Sequence, residues 1–163
     1  MKKIICAILA LFALLLPLTS CQKQAYVNNV SASALANTIA ESLSGGQSYR
    51  AVAQGYLDDD LRIPDYVSEY TVLISEEGND IDELGVFRVT DGNAKAMKKA
   101  LEDFLAASYK KNADWYDSYI PAETPKLRDA EVRIFGNYAV YAILSTNNKE
   151  AAWAAAEKLL AEK

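Results

Sequence analysis

Past residue 30 the apolar positions follow two periods, and the change from one to the other marks out the elements. Leu35, Ile39 and Leu43, with Ala36 and Ala40 beside them, form one helical stripe. Ser31 or Ser33 stands where a cap belongs, and Ser44-Gly45-Gly46 ends the run. After Asp91-Gly92-Asn93 the longest helix opens. Met97, Ala100, Leu101, Phe104, Leu105 and Ser108 recur on one face, while Lys95, Lys98, Lys99 and Glu102 take the wet side. A last helix carries Trp153, Ala156, Leu159 and Leu160 inward, with Asn147 or Asn148 as its cap and Glu150 in its first turn.

Between these helices the chain turns β-branched and aromatic. Tyr70 to Ile74 reads as a strand, the polar stretch Glu76 to Asp82 as a turn, and Leu84 to Val89 as the hairpin partner. Val132 to Phe135 and Tyr138 to Leu144 form a second hairpin about Gly136-Asn137, where glycine accepts the positive φ that a two-residue loop needs. Asp58-Asp59-Asp60 and Pro64 keep residues 47–68 to a loop or a short helical turn. Trp115, Tyr116, Tyr119, Pro121 and Pro125 read as a connection. The order αββαββα predicts an α+β fold: a two-layer sandwich with one four-stranded antiparallel sheet, built from two hairpins and covered by helices on one face.

The start of the chain follows a different rule. Met1-Lys2-Lys3 is a positive n-region, and the apolar run Ile4 to Leu18 is too short for a permanent span of ~20 residues but suits a secretory h-region. Leu18-Thr19-Ser20-Cys21 looks like a lipobox, in which an aliphatic and two small residues precede the lipid-bearing cysteine. The expected organisation is a signal peptide over 1–20, a lipidated Cys21 with a tether over 21–30, and a single globular domain over 31–163. Two acyl chains on Cys21, at about 0.8 kcal/mol per buried methylene, would hold the protein on the extracytoplasmic face of the cell membrane.

Composition narrows the chemistry. The net charge is −5, and removal of Lys2 and Lys3 leaves 15 basic against 22 acidic side chains, a balance that phosphate backbones repel. Nucleic acid is therefore not an expected partner. Cys6 leaves with the leader and Cys21 with the anchor, and the chain has no histidine. Disulfides, thiolate nucleophiles and the usual zinc and imidazole chemistry are thereby removed.

Three segments resemble a family of uncharacterised lipoproteins of Gram-positive bacteria, known as domain of unknown function 4358. Asp82-Glu83-Leu84-Gly85-Val86-Phe87-Arg88-Val89 is similar to the family's acidic-then-aliphatic strand. Tyr119-Ile120-Pro121 is similar to its tyrosine-x-proline step after the long helix, and Val132 to Tyr141 to its closing hairpin. The resemblance runs from Asp80 to Leu160. It implies an exported lipoprotein and a shared fold, and it brings no activity and no catalytic residues.

Several groups of residues invite chemistry. Ser108-Tyr109-Lys110-Lys111 matches S-x-x-K and Ser145-Thr146-Asn147 matches S-x-N, but the third motif of penicillin-binding enzymes is missing, so a helix edge and a helix cap are the plainer readings. Glu76 to Glu83 carries five carboxylates in eight residues, of which Asp80, Asp82 and Glu83 are weak calcium candidates. Their spacing departs from a calcium loop, so no metal and no cofactor is expected. Tyr109, Trp115, Tyr116 and Tyr119 are the candidate ligand-binding residues, since rings with hydroxyls suit sugars and peptides. The expected function is that of a non-enzymatic binding or accessory module of the envelope, anchored by lipid and engaging an envelope protein, peptide or glycan. The alternative is a small hydrolase of envelope glycans or peptides, acting through carboxylates or a Ser/Lys pair.

Overall fold

In the computed structural model residues 25–53, 55–57 and 60–162 are described; the leader, Cys21, Asp58 and Asp59 lie outside them. The order is α1 (Ala32–Ser42), β1 (Tyr49–Ala51), β2 (Val67–Ser75), β3 (Glu83–Val89), α2 (Ala94–Tyr119), α3 (Thr124–Arg128), β4 (Glu131–Phe135), β5 (Tyr138–Ile143) and α4 (Thr146–Leu160). Both expected hairpins form, and β3 pairs antiparallel with β5 to join them into one sheet of order β1-β2-β3-β5-β4. At the β4–β5 turn Gly136 takes φ 58° while Asn137 stays negative, the pattern of a II′ turn.

The sheet has five strands rather than the expected four. The added one, β1, runs along β2 with Tyr49 opposite Ser75, and its three residues are too few to show an alternation. A second correction concerns the layers, for helices cover both faces of the sheet. Leu73, Leu84, Val86, Tyr138 and Val140 pack with Leu35 and Ile39 of α1 and Trp153 of α4. Val72, Phe87, Val89, Tyr141 and Ile143 pack instead with Met97, Leu101 and Leu105 of α2 and Leu127 of α3. The physical reason lies in β5, where all six residues are buried. An unbroken apolar strand has no wet side, so both faces need a cover.

Local rules explain the helix ends. Ser31 caps α1, its hydroxyl accepting from Ala34 N at 3.1 Å. At α4 the cap is Ser145 rather than Asn147 or Asn148, with Asn148 N donating to its hydroxyl. Asn148 does other work: Ser44 N and Ser44 Oγ donate to its carbonyl, and its amide donates to Ser44 O, tying the end of α1 to the start of α4. Helix α2 does not stop near Ser108 but runs on through Trp115 and Tyr116 to Tyr119, because nothing between Gly92 and Pro121 breaks it. Its buried residues Ala94, Met97, Leu101 and Leu105 all lie in its first half.

Residues 25–30, which the sequence assigns to the tether, run along the domain. Val27 N donates to Leu160 O at 2.8 Å, Glu162 N to Ala25 O at 3.1 Å, and Tyr26 meets the Phe135 ring edge-on at 5.7 Å. The Tyr138 hydroxyl both donates to Val30 O and accepts from Val30 N. Among the described residues no helix is long and apolar enough to cross a membrane.

Candidate functional site

The entry to β3 places two consecutive carboxylates in different surroundings. Asp82 is buried and meets a cation. Lys126 Nζ lies 2.7 Å from Asp82 Oδ1, 2.6 Å from Asp80 Oδ1 and 2.7 Å from Glu123 Oε2. Tyr49 donates to Asp82 Oδ2 at 2.9 Å, Asp82 N to Asp80 Oδ1, and Ile81 N to Glu123 Oε2. Oxygens of these three carboxylates fall within 4.8 Å of one another, and the Lys126 ammonium holds the place a cation would take. Burial pushes the Asp82 carboxyl up, and hydrogen bonds from Lys126 and Tyr49 oppose it without cancelling it. Burial also acts on Asp80, but there the Lys126 hydrogen bond and the Asp82 amide prevail and hold it below the usual range. The cluster clasps α3 to the β2–β3 turn and to β1.

Glu83 points elsewhere. Its carboxylate is enclosed although the residue as a whole is half-buried, and Tyr141 donates to Oε1 at 2.5 Å while Tyr56 donates to Oε2 at 3.2 Å. No ion pair reaches it among the described residues. Burial therefore pushes its pKa up, opposed only by the two tyrosine hydrogen bonds. Burial and the Glu83 charge in turn raise Tyr56 to about 12, and they raise Tyr116 and Tyr141 as well.

One glycine makes this arrangement possible. In the β3–β5 register Gly85 faces Tyr141 and Glu83 faces Ile143. A Cβ on Gly85 would come within 2.0 Å of Tyr141 Cε1, so only glycine lets the ring lie across the strand. The ring spans two residues of β3 and carries its hydroxyl to Glu83. Phe104 of α2 meets it edge-on at 5.8 Å and Phe87 lies tilted against it at 6.1 Å, so the hydroxyl is held by packing on both sides.

Above Glu83 opens a cleft of about 230 Å³. Phe104, Ser108, Asn112 and Tyr116 of α2 line one wall, and Tyr56, Leu57 and Asp60 the other. The S-x-x-K motif thus has its serine here, within 3.5 Å of Asn112 Nδ2, while Lys111 Nζ pairs with Asp60 at 2.9 Å. Ser145 of the S-x-N motif serves as the α4 cap.

The sequence-proposed residues divide among several places. Asp80 and Asp82 come together with Glu123, not with Glu83. Tyr116 lines the Glu83 cleft, whereas Tyr109 lines a separate groove of about 580 Å³ between α2 and the edge of β4. Trp115 and Tyr119 stand out from α2, 54% and 70% exposed, with ring centroids 5.1 Å apart. Trp115 also meets Tyr116 at 5.3 Å, so the three rings run outward as a ledge from the cleft wall. Tyr56, Gly85 and Tyr141 carry no motif of their own that marks them as site residues. The signal in the sequence is a glutamate and a glycine two residues apart, Glu83 and Gly85, at the head of an apolar strand.

The family model described as a domain of unknown function (DUF4358) matches residues 63–144. That span begins before β2 and ends just after β5, and it holds Glu83, Gly85, Tyr116, Lys126 and Tyr141 but not Tyr49 or Tyr56. Neither a curated protein nor a solved structure matches the chain. With half of its length covered by that model, including four of the five strands, the chain belongs to the family of domain of unknown function 4358.

Proposed function

We propose that this protein is a lipid-anchored, extracytoplasmic binding module that holds a small polar ligand in the Glu83 cleft. One observation carries the reading: a buried carboxylate, with both oxygens held by tyrosine hydroxyls, lines an open cleft. A buried ionisable group with shifted titration in a concave site is a candidate for a working site. Binding is favoured over turnover because each Glu83 oxygen already accepts a hydrogen bond, which makes it a fixed charge rather than a base waiting for a proton. The exposed Trp115 and Tyr119 would extend the ligand's platform outward. The anchor is Cys21, for the reasons of charge, length and small residues given above.

A hydrolase is the second reading, favoured by Asp60 and Ser108 lining the same cleft as Glu83. One experiment separates the two. The mature protein, purified from membranes in detergent, is screened by thermal shift against small polar metabolites and envelope fragments. Hits should vanish in Tyr116→Ala and weaken severalfold when Trp115 and Tyr119 are both alanine, with each variant still melting cooperatively. Turnover of a glycan or peptide that is lost in Glu83→Gln would replace binding with hydrolysis. Intact mass of the same sample tests the anchor, since an unmodified Cys21 would remove it.

A further inference from the structure

Resting on the Glu83 cleft as the working site, the ligand's chemistry follows from what that carboxylate lacks. An ionised carboxylate offers about four lone-pair positions, and the two tyrosine hydroxyls fill two of them. Tyrosine hydroxyls supply hydrogen bonds without a compensating charge. At Asp82, by contrast, the fold supplies an ammonium at 2.7 Å together with a tyrosine hydroxyl. A buried charge with hydrogen bonds and no counter-charge is costly, and the cost is relieved when a cation arrives.

The walls suit a cation of a particular kind. Tyr56, Phe104 and Tyr116 present aromatic rings around the cleft, and ring faces attract desolvated ammonium groups through the ring quadrupole. Ser108 and Asn112 add polar atoms along one wall. A hard metal ion wants six or more oxygen ligands, several of them charged, and aromatic carbon supplies none. An anion would face Glu83 directly, on a chain whose net charge is −5. The volume of about 230 Å³ admits a small molecule or the end of a larger one.

We infer that the cleft receives a primary ammonium group, seated against Glu83 and enclosed by Tyr56 and Tyr116. That group is carried equally by a small amine, an amino sugar or the amino end of a peptide, so the chemistry is shared and the source is a separate question.

Amide NMR of the mature protein in detergent micelles tests this. The probes are n-butylammonium, its neutral counterpart n-butanol, calcium ion, glucosamine and glycylglycine. n-Butylammonium should shift the amides of Tyr56, Glu83, Ser108, Asn112 and Tyr116, at least about tenfold more tightly than n-butanol. Glu83→Gln should abolish the difference between the two probes. The wild-type comparison alone decides the matter should that variant fold poorly. Whichever of glucosamine and glycylglycine binds tighter names the source.

Equal response to n-butanol would overturn the ammonium assignment and leave the cleft as a site for neutral ligands. Tighter binding of calcium through Glu83 would overturn it in favour of a metal. If no probe moves those amides and the metabolite screen is also silent, the cleft itself is wrong as the working site.

Discussion

Asp82 and Glu83 are neighbours in the chain with the same functional group, and the fold treats them in opposite ways. Asp82 shares the Lys126 ammonium with Asp80 and Glu123, so its counter-charge is in place. Among the described residues Glu83 has two tyrosine hydroxyls and no ion-pair partner, and it lines a cleft. A buried acid with its counter-charge beside it is part of the architecture; one left without it is an address for something else. Burial alone does not separate the two, because it pushes both carboxyls up. The neighbours do.

The sharpest way to break the contrast is to remove the cation from the Asp82 side. Lys126→Met leaves three converging carboxylates with nothing between them, and should cost about 3–5 kcal/mol in chemical denaturation. A loss below about 1 kcal/mol would mean that the clasp is ornamental.

Next in size is the hinge between strand and site. Gly85→Ala places a methyl where the Tyr141 ring lies, and overpacking of this kind costs about 1–3 kcal/mol. Tyr141 and Glu83 should separate as the ring moves. An unchanged denaturation midpoint would show that the ring has another place to go.

The smallest effect is expected at Glu83, where it should depend on pH. Burial raises this carboxyl, so the folded state binds its proton more readily than the unfolded chain does. The penalty is absent below the unfolded value and grows as pH rises through the interval up to the folded one. Glu83→Gln should therefore match the wild type in acid and exceed its stability by about 1 kcal/mol at neutral pH. Asp80 runs the other way: its carboxyl is held low, so its contribution is present above the unfolded value and lost as pH falls through the folded one. Stability curves of wild type and Glu83→Gln that stay parallel from acid to neutral pH would erase the distinction between the two carboxylates.

Local signals in the sequence carry much of this fold. Gly136-Asn137 specifies its hairpin, Ser31 its helix start, and the apolar stripes of α1, α2 and α4 their inward faces, because each depends on residues a few positions apart. What the sequence does not display is anything set by cross-strand register. That Tyr141 lies opposite Gly85 rather than Leu84, and so reaches Glu83, depends on how β3 meets β5 across more than fifty residues of chain. The aromatic group is divided for a helical reason. With α2 continuous to Tyr119, Tyr109 and Tyr116 share its inner side, while Trp115 and Tyr119 turn outward. The second covered face was legible in principle, since a strand as apolar as Tyr138 to Ile143 leaves no polar side to expose.

The way residues 25–30 lie along the domain gives the molecule an up and a down. This segment begins against the β4–β5 turn, where a Cβ on Gly136 would sit 3.0 Å from Tyr26 Cβ, and that turn adjoins the Val89 end of β3. Glu83 is at the other end of the same strand, six residues or roughly 20 Å away. With Cys21 in the membrane, as proposed, four residues of chain would span at most about 14 Å before the domain begins. The protein would then stand on its short stalk like a buoy moored at its base, with the cleft as its upper surface. Any ligand would have to come from the wall side, within a few tens of ångströms of the bilayer and no farther.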